Sequence, residues 1–90
     1  MHELSMCEGI LDVVLEAAQE RPVRRVQVAI GRDWAVSPES FDQSFQVAAQ
    51  NTKAAGALIE QQQVSGEALT IKEIELEGGV VLRNPELPSA

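Results

Sequence analysis

The sequence predicts a small two-layer α/β fold of the α+β kind, with two helices on one face of a three-stranded sheet, in the order α-β-α-β-β. Three observations predict it. Apolar residues recur at helical spacing from Leu4 to Ala18. The stretches "VRRVQVAIG" and "LTIKEIELE" alternate as half-buried strands do. Between them, "SPES" carries the marks of a helix start.

From Glu3 to about Glu20 the apolar residues fall in two adjoining stripes. Leu4, Cys7, Leu11, Val14, Leu15 and Ala18 form one; Met6, Ile10, Val13 and Ala17 form the other. Ser5, Glu8, Asp12, Glu16 and Gln19 fill the remaining arc. So wide an apolar sector predicts a helix that packs on a sheet and also touches a second helix or a partner. Pro22 closes it, because the residue before a proline is pushed out of helical geometry.

Val23 to Gly31 reads as a strand, with Val26, Val28 and Ile30 on one face and Arg25, Gln27 and Ala29 on the other. Arg24 and Arg25 read as a solvated strand start. After a loop from Gly31 to Val36, Ser37 serves as N-cap and Pro38 as first helical residue, and Glu39 suits the positive end of the helix dipole. Phe41, Phe45 and Ala48 or Ala49 then give a second helix its buried stripe, ending near Asn51.

Gly56 to Val64 and Leu69 to Glu77 are the remaining strands. In the last, the alternation slips at Lys72–Glu73, as a β-bulge requires. Only Ser65, Gly66, Glu67 and Ala68 separate the two, which predicts a hairpin turn and direct pairing. Residues 78–90, "GGVVLRNPELPSA", contain two prolines and read as a partly ordered tail, leaving 1–77 as the folded domain.

Ninety residues suffice for one domain with a modest core. Fourteen acidic residues against 7 basic give a net charge of −7. Binding to phosphate backbones needs clustered Lys and Arg, so nucleic acid and anionic membrane are not expected as partners. A metal cation or a cationic protein surface suits this charge better. The single cysteine, Cys7, precludes an intramolecular disulfide and any CxxC pair. No run reaches the roughly 18 to 20 apolar residues of a membrane span, and the opening segment lacks a basic n-region and a small-residue cleavage site. A cytoplasmic location is therefore expected.

The residues of an enzyme are missing as well. The one histidine is His2, Cys7 faces the core on the helical count, and no Ser-His-Asp, Cys-His or phosphate-cradling glycine motif is present. Glu73, Glu75 and Glu77 lie along one strand and read as its solvated face.

The terminus offers different chemistry. An α-amine titrates near pH ~7.7–8.0 and an imidazole near ~6.5. With histidine at position 2, the Met1 amine, the intervening amide and the His2 ring can close fused chelate rings on one metal ion. Ni(II) and Cu(II) favour such tetragonal nitrogen sites. The Glu3 amide could complete the plane, with the Glu3 carboxylate as an axial or supporting group. On the residues alone, a solvated terminal histidine remains the open alternative.

Four segments in order, "MHELSMCEGILDVVLEAA", "VQVAIG", "VSPESFDQSFQVAAQNTKAAGALIE" and "GEALTIKEIELE", resemble the HypA/HybF family of nickel metallochaperones for NiFe-hydrogenase maturation, over residues 1 to 77. The resemblance implies Ni(II) bound at Met1, His2 and Glu3. It also implies two partners, a nickel-handling GTPase of the HypB type and the hydrogenase large-subunit precursor; some members serve urease. Family members insert a zinc domain, built on two CxxC pairs, between the last two strands. Here that position is Val64-Ser65-Gly66-Glu67 and the four zinc cysteines are missing, so no zinc is expected. The loop "GRDWAV" departs from the family's smaller, more apolar one.

Further candidates for partner contact are the acidic arc Glu8, Asp12 and Glu16, where a GTPase could dock, and Trp34, as an interface anchor or as a cap on the core edge. A second copy of the chain is a further candidate partner. The competing functional reading is an assembly or interaction module that lost metal delivery together with the zinc domain. Its contact surfaces would be the wide sector of the first helix and the tail after Gly78.

Overall fold

The apolar stripes account for the packing. In the computed structural model, which describes residues 3–84, helix α1 (Glu3–Ala18) buries Met6, Cys7, Ile10, Leu11, Val14 and Ala18. Both stripes are thus used inside the fold. Leu4, assigned to the first, is exposed instead; it lies one turn ahead of Cys7, the first residue of that stripe to reach the core. Gln19 and Glu20 adopt left-handed angles and turn the chain at Pro22 into strand β1 (Val23–Gly31).

A 3₁₀ turn (Arg32–Trp34) leads to helix α2 (Pro38–Ala49). The Ser37 hydroxyl accepts from the Ser40 amide at 3.1 Å, satisfying one orphan donor of the first turn. Phe41, Phe45 and Ala49 are its buried stripe. The two helices meet where the Cys7 thiol donates to the Phe41 carbonyl at 3.4 Å.

Strands β2 (Leu58–Val64), β3 (Leu69–Leu76) and β4 (Val81–Arg83) complete a mixed sheet of order β2-β1-β3-β4. β1 pairs parallel with β2 and antiparallel with β3. The expected bulge is present: Gln27 pairs with Glu73 and Val28 with Ile71, leaving Lys72 as the extra residue.

Two features differ from expectation. β2 and β3 do not form a hairpin, because β1 lies between them. α2 is the crossover that a parallel β1–β2 pair requires, which leaves the other side of β1 for β3. The Ser65–Ala68 connection must therefore pass over the end of β1. The second difference is β4, in the segment read as a tail. Gly78 and Gly79 turn the chain with positive φ, and the Leu76 amide bonds to the Val80 carbonyl at 2.7 Å.

The inner face of the sheet carries Val26, Val28, Ile30, Ile74 and Leu76 against both helices. The outer face carries Arg25, Gln27 and Ala29 of β1, flanked by Glu60 of β2 and Glu73 and Glu75 of β3. No helix among the described residues is long and apolar enough to cross a membrane.

Candidate functional site

Of the predicted metal set, Met1 and His2 lie outside the described residues. Glu3 is the first residue of α1 and half-buried, a carboxylate at the positive end of the helix dipole. Among the described residues, no group of three or more His, Cys, Asp or Glu side chains could hold a metal ion.

α1 turns directly into β1 and so runs against it, and Cys7 meets the first turn of α2. The start of α1, the start of α2 and the end of β1 therefore share one end of the domain. At that end Cys7 is fully buried. Burial pushes its thiol up to about 11, and the carboxylates of Glu3, Asp42 and Glu8 push the same way. The thiolate is the ligand form of cysteine, so at neutral pH Cys7 is a protonated core residue, as its place on the apolar stripe predicts. Glu8, Asp12 and Glu16, four residues apart, form one exposed ridge along α1.

At the end of β1 the chain is stitched closely. The Gly31 amide donates to the Ala68 carbonyl at 2.6 Å and the Asp33 amide to the Gly66 carbonyl at 2.9 Å. The Trp34 indole Nε1 donates to the carbonyls of Glu67 at 2.9 Å and Ala68 at 3.2 Å, while the half-buried ring packs against the core. A Cβ on Gly31 would stand 2.2 Å from the Gly66 oxygen, so the crossing needs glycine there. Trp34 thus closes the core edge and fastens the connection.

Sequence reading alone missed the outer-face ion network. Arg25, read as solvated, is half-buried and central to it. Its Nη1 lies 3.0 Å from Glu60 Oε1, its Nε lies 3.0 Å from Glu75 Oε1, and its Nη2 binds Glu73. Glu73 also accepts from Arg83 Nε at 3.1 Å. Its bonds to Arg25 and then Arg83 hold the Glu73 carboxyl below the usual carboxylate range. The hydrogen bonds it donates to Glu73 and Glu75 hold the Arg25 guanidinium more firmly charged than usual. The signal was the shared strand face, which becomes legible once the β1–β3 register is known.

A family model described as "Hydrogenase/urease nickel incorporation, metallochaperone, hypA" matches residues 1–70. The chain belongs to the HypA family. Among curated relatives, the hydrogenase maturation factor HypA of Beijerinckia indica is 35% identical over 71 residues, covering 76% of this chain and 63% of the relative. Hydrogenase maturation factor HypA 2 of Bradyrhizobium diazoefficiens is 38% identical over 71 residues, with the same coverage of 76% and 63%. The chain thus spans less than two thirds of the length of these relatives. The solution structure of the Ni metallochaperone HypA from Helicobacter pylori superposes with a TM-score of 0.61 at 17% identity, over 99% of this chain and 95% of that one. The two helices and mixed sheet are therefore the HypA fold.

Proposed function

We propose that this member of the HypA family is a nickel-binding accessory protein of the metallochaperone type, acting without catalysis in maturation of NiFe-hydrogenase. Nickel is its cargo. The Met1 amine, the backbone amides, the His2 ring and Glu3 take Ni(II), and the ion is handed on. The observation that carries this reading is that the family match begins at residue 1 and so includes Met1-His2-Glu3 and the helix they lead into. The exposed ridge Glu8, Asp12 and Glu16, which begins one turn after Glu3, is the docking face for a nickel-handling GTPase of the HypB type. The hydrogenase large-subunit precursor is the recipient. A partner at Trp34 would meet the ring face, since the indole N–H is engaged within the chain. The protein works in the cytoplasm and carries no zinc.

The test is a Ni(II) titration of the protein with its native Met1 beside the same protein extended by two residues. Calorimetry and the visible absorption of planar nickel would follow both. One tight equivalent is expected, lost on extension and on His2→Ala. It is also expected to weaken below about pH 6, where protons compete for the imidazole, amine and amides. Binding that ignores the extension would overturn the terminal site and favour the interaction-module reading.

A further inference from the structure

β2 is an edge strand. Its one neighbour is β1, and residues 58–64 form no other backbone hydrogen bond among the described residues. Proteins usually blunt such an edge with proline, lysine, a bulge or short length. The opposite edge, β4, has three residues. β2 has seven, "LIEQQQV", with neither proline nor lysine, and its register with β1 is unbroken from Arg25–Leu58 to Gly31–Val64. Its single charge, Glu60, is ion-paired within the chain to Arg25, which Glu73 and Glu75 share. On a chain of net charge −7, this edge is open, regular and carries one charge, which is ion-paired.

The strand is also complementary to itself. By the β1 register, Leu58, Glu60, Gln62 and Val64 line the outer face, and Ile59, Gln61 and Gln63 the inner. Place two β2 strands antiparallel about a two-fold axis at Gln61. Leu58, 59% exposed in one copy, then meets Val64 of the second. Glu60 meets Gln62, Ile59 meets Gln63, and Gln61 meets itself. Apolar residues pair on the outer face, no like charges stand opposite one another, and each contact occurs twice, as an isologous interface requires.

We propose that β2 is a self-association edge through which two copies join into one continuous sheet. The axis stands perpendicular to the sheet, so both helix layers stay on one face and both Arg25 networks on the other.

The test is sedimentation equilibrium of the whole chain with its native Met1, from micromolar to millimolar, without added metal. A concentration-dependent dimer is expected. Gln62→Lys sets a cation opposite Glu60 in both halves and should tighten the dimer about tenfold, whereas Gln62→Glu should weaken it by a similar factor. Gln62 is exposed, and thermal unfolding would verify that both variants stay folded. His2→Ala should leave association unchanged, which separates this proposal from the nickel reading. Three outcomes would overturn it: a monomer at every concentration in wild type and Gln62→Lys, both charge variants moving in the same direction, or association abolished by His2→Ala.

Discussion

At Gly31 a strand end, a four-residue connection and the start of a 3₁₀ turn come into backbone contact. Its amide bonds to Ala68 while its α-carbon faces the Gly66 carbonyl, and a methyl group there would stand 2.6 Å from the Ala68 nitrogen. Neither obstacle is a flexible side-chain tip, so relief requires the backbone to move. Gly31→Ala is expected to destabilise the fold by about 3 kcal/mol, measured by urea unfolding. It should also red-shift the native emission of Trp34, the only tryptophan, as the Ser65–Ala68 connection lifts from it. Gly9→Ala is the control: nothing lies within 4 Å of the added Cβ, and alanine should stabilise a helix interior by about 1 kcal/mol. If the two variants behave alike, close approach at Gly31 is not the constraint.

Among the elements, strands β2, β1 and β3 are tied on the outer face by one guanidinium, since Arg25 of β1 reaches Glu60 of β2 and Glu73 and Glu75 of β3. Its acid sensitivity follows from Glu73, whose carboxyl is held below the ordinary 4.5 by Arg25 and Arg83. A carboxyl whose value is depressed by folding contributes stability that is present in full above its unfolded value and lost as pH falls through the folded one. Glu73→Gln should therefore be less stable than wild type at pH 7, with the gap closing as pH falls below the ordinary 4.5; urea midpoints measured down through that range would check it. A gap independent of pH would mean that packing, not charge, is lost. The strands themselves were legible, β1 to its end residues and β3 to its bulge, because alternation is a local property. Their neighbours were not. A four-residue link after β2 reads as a hairpin, and only the parallel pairing imposed by α2 moves β3 to the far side of β1. β4 escaped notice because three residues are too short to show a period. The Arg25 network was hidden for the same reason as the strand order, since it joins residues about 35 to 50 apart in sequence.

For the whole molecule, stability and metal binding are predicted to be separable. Both helices and the inner sheet face share one hydrophobic cluster, from Met6 to Leu76, which predicts a single cooperative unfolding transition. The chain has one cysteine, and that one lies buried in the cluster, so a chelator should leave the thermal midpoint unchanged. A structural zinc, by contrast, would add binding free energy to folding. The proposed nickel site was legible only as a run of three residues and a family resemblance, and its donors would be local to that run. Such donors are available in the unfolded chain as well, and a ligand that binds both states shifts the folding equilibrium little. Saturating Ni(II) is therefore expected to bind by calorimetry yet move the thermal midpoint by no more than about 1–2 °C, corresponding to a few tenths of a kcal/mol for a domain of this size. A large upward shift would mean that the ion recruits residues of the folded domain beyond the run Met1-His2-Glu3.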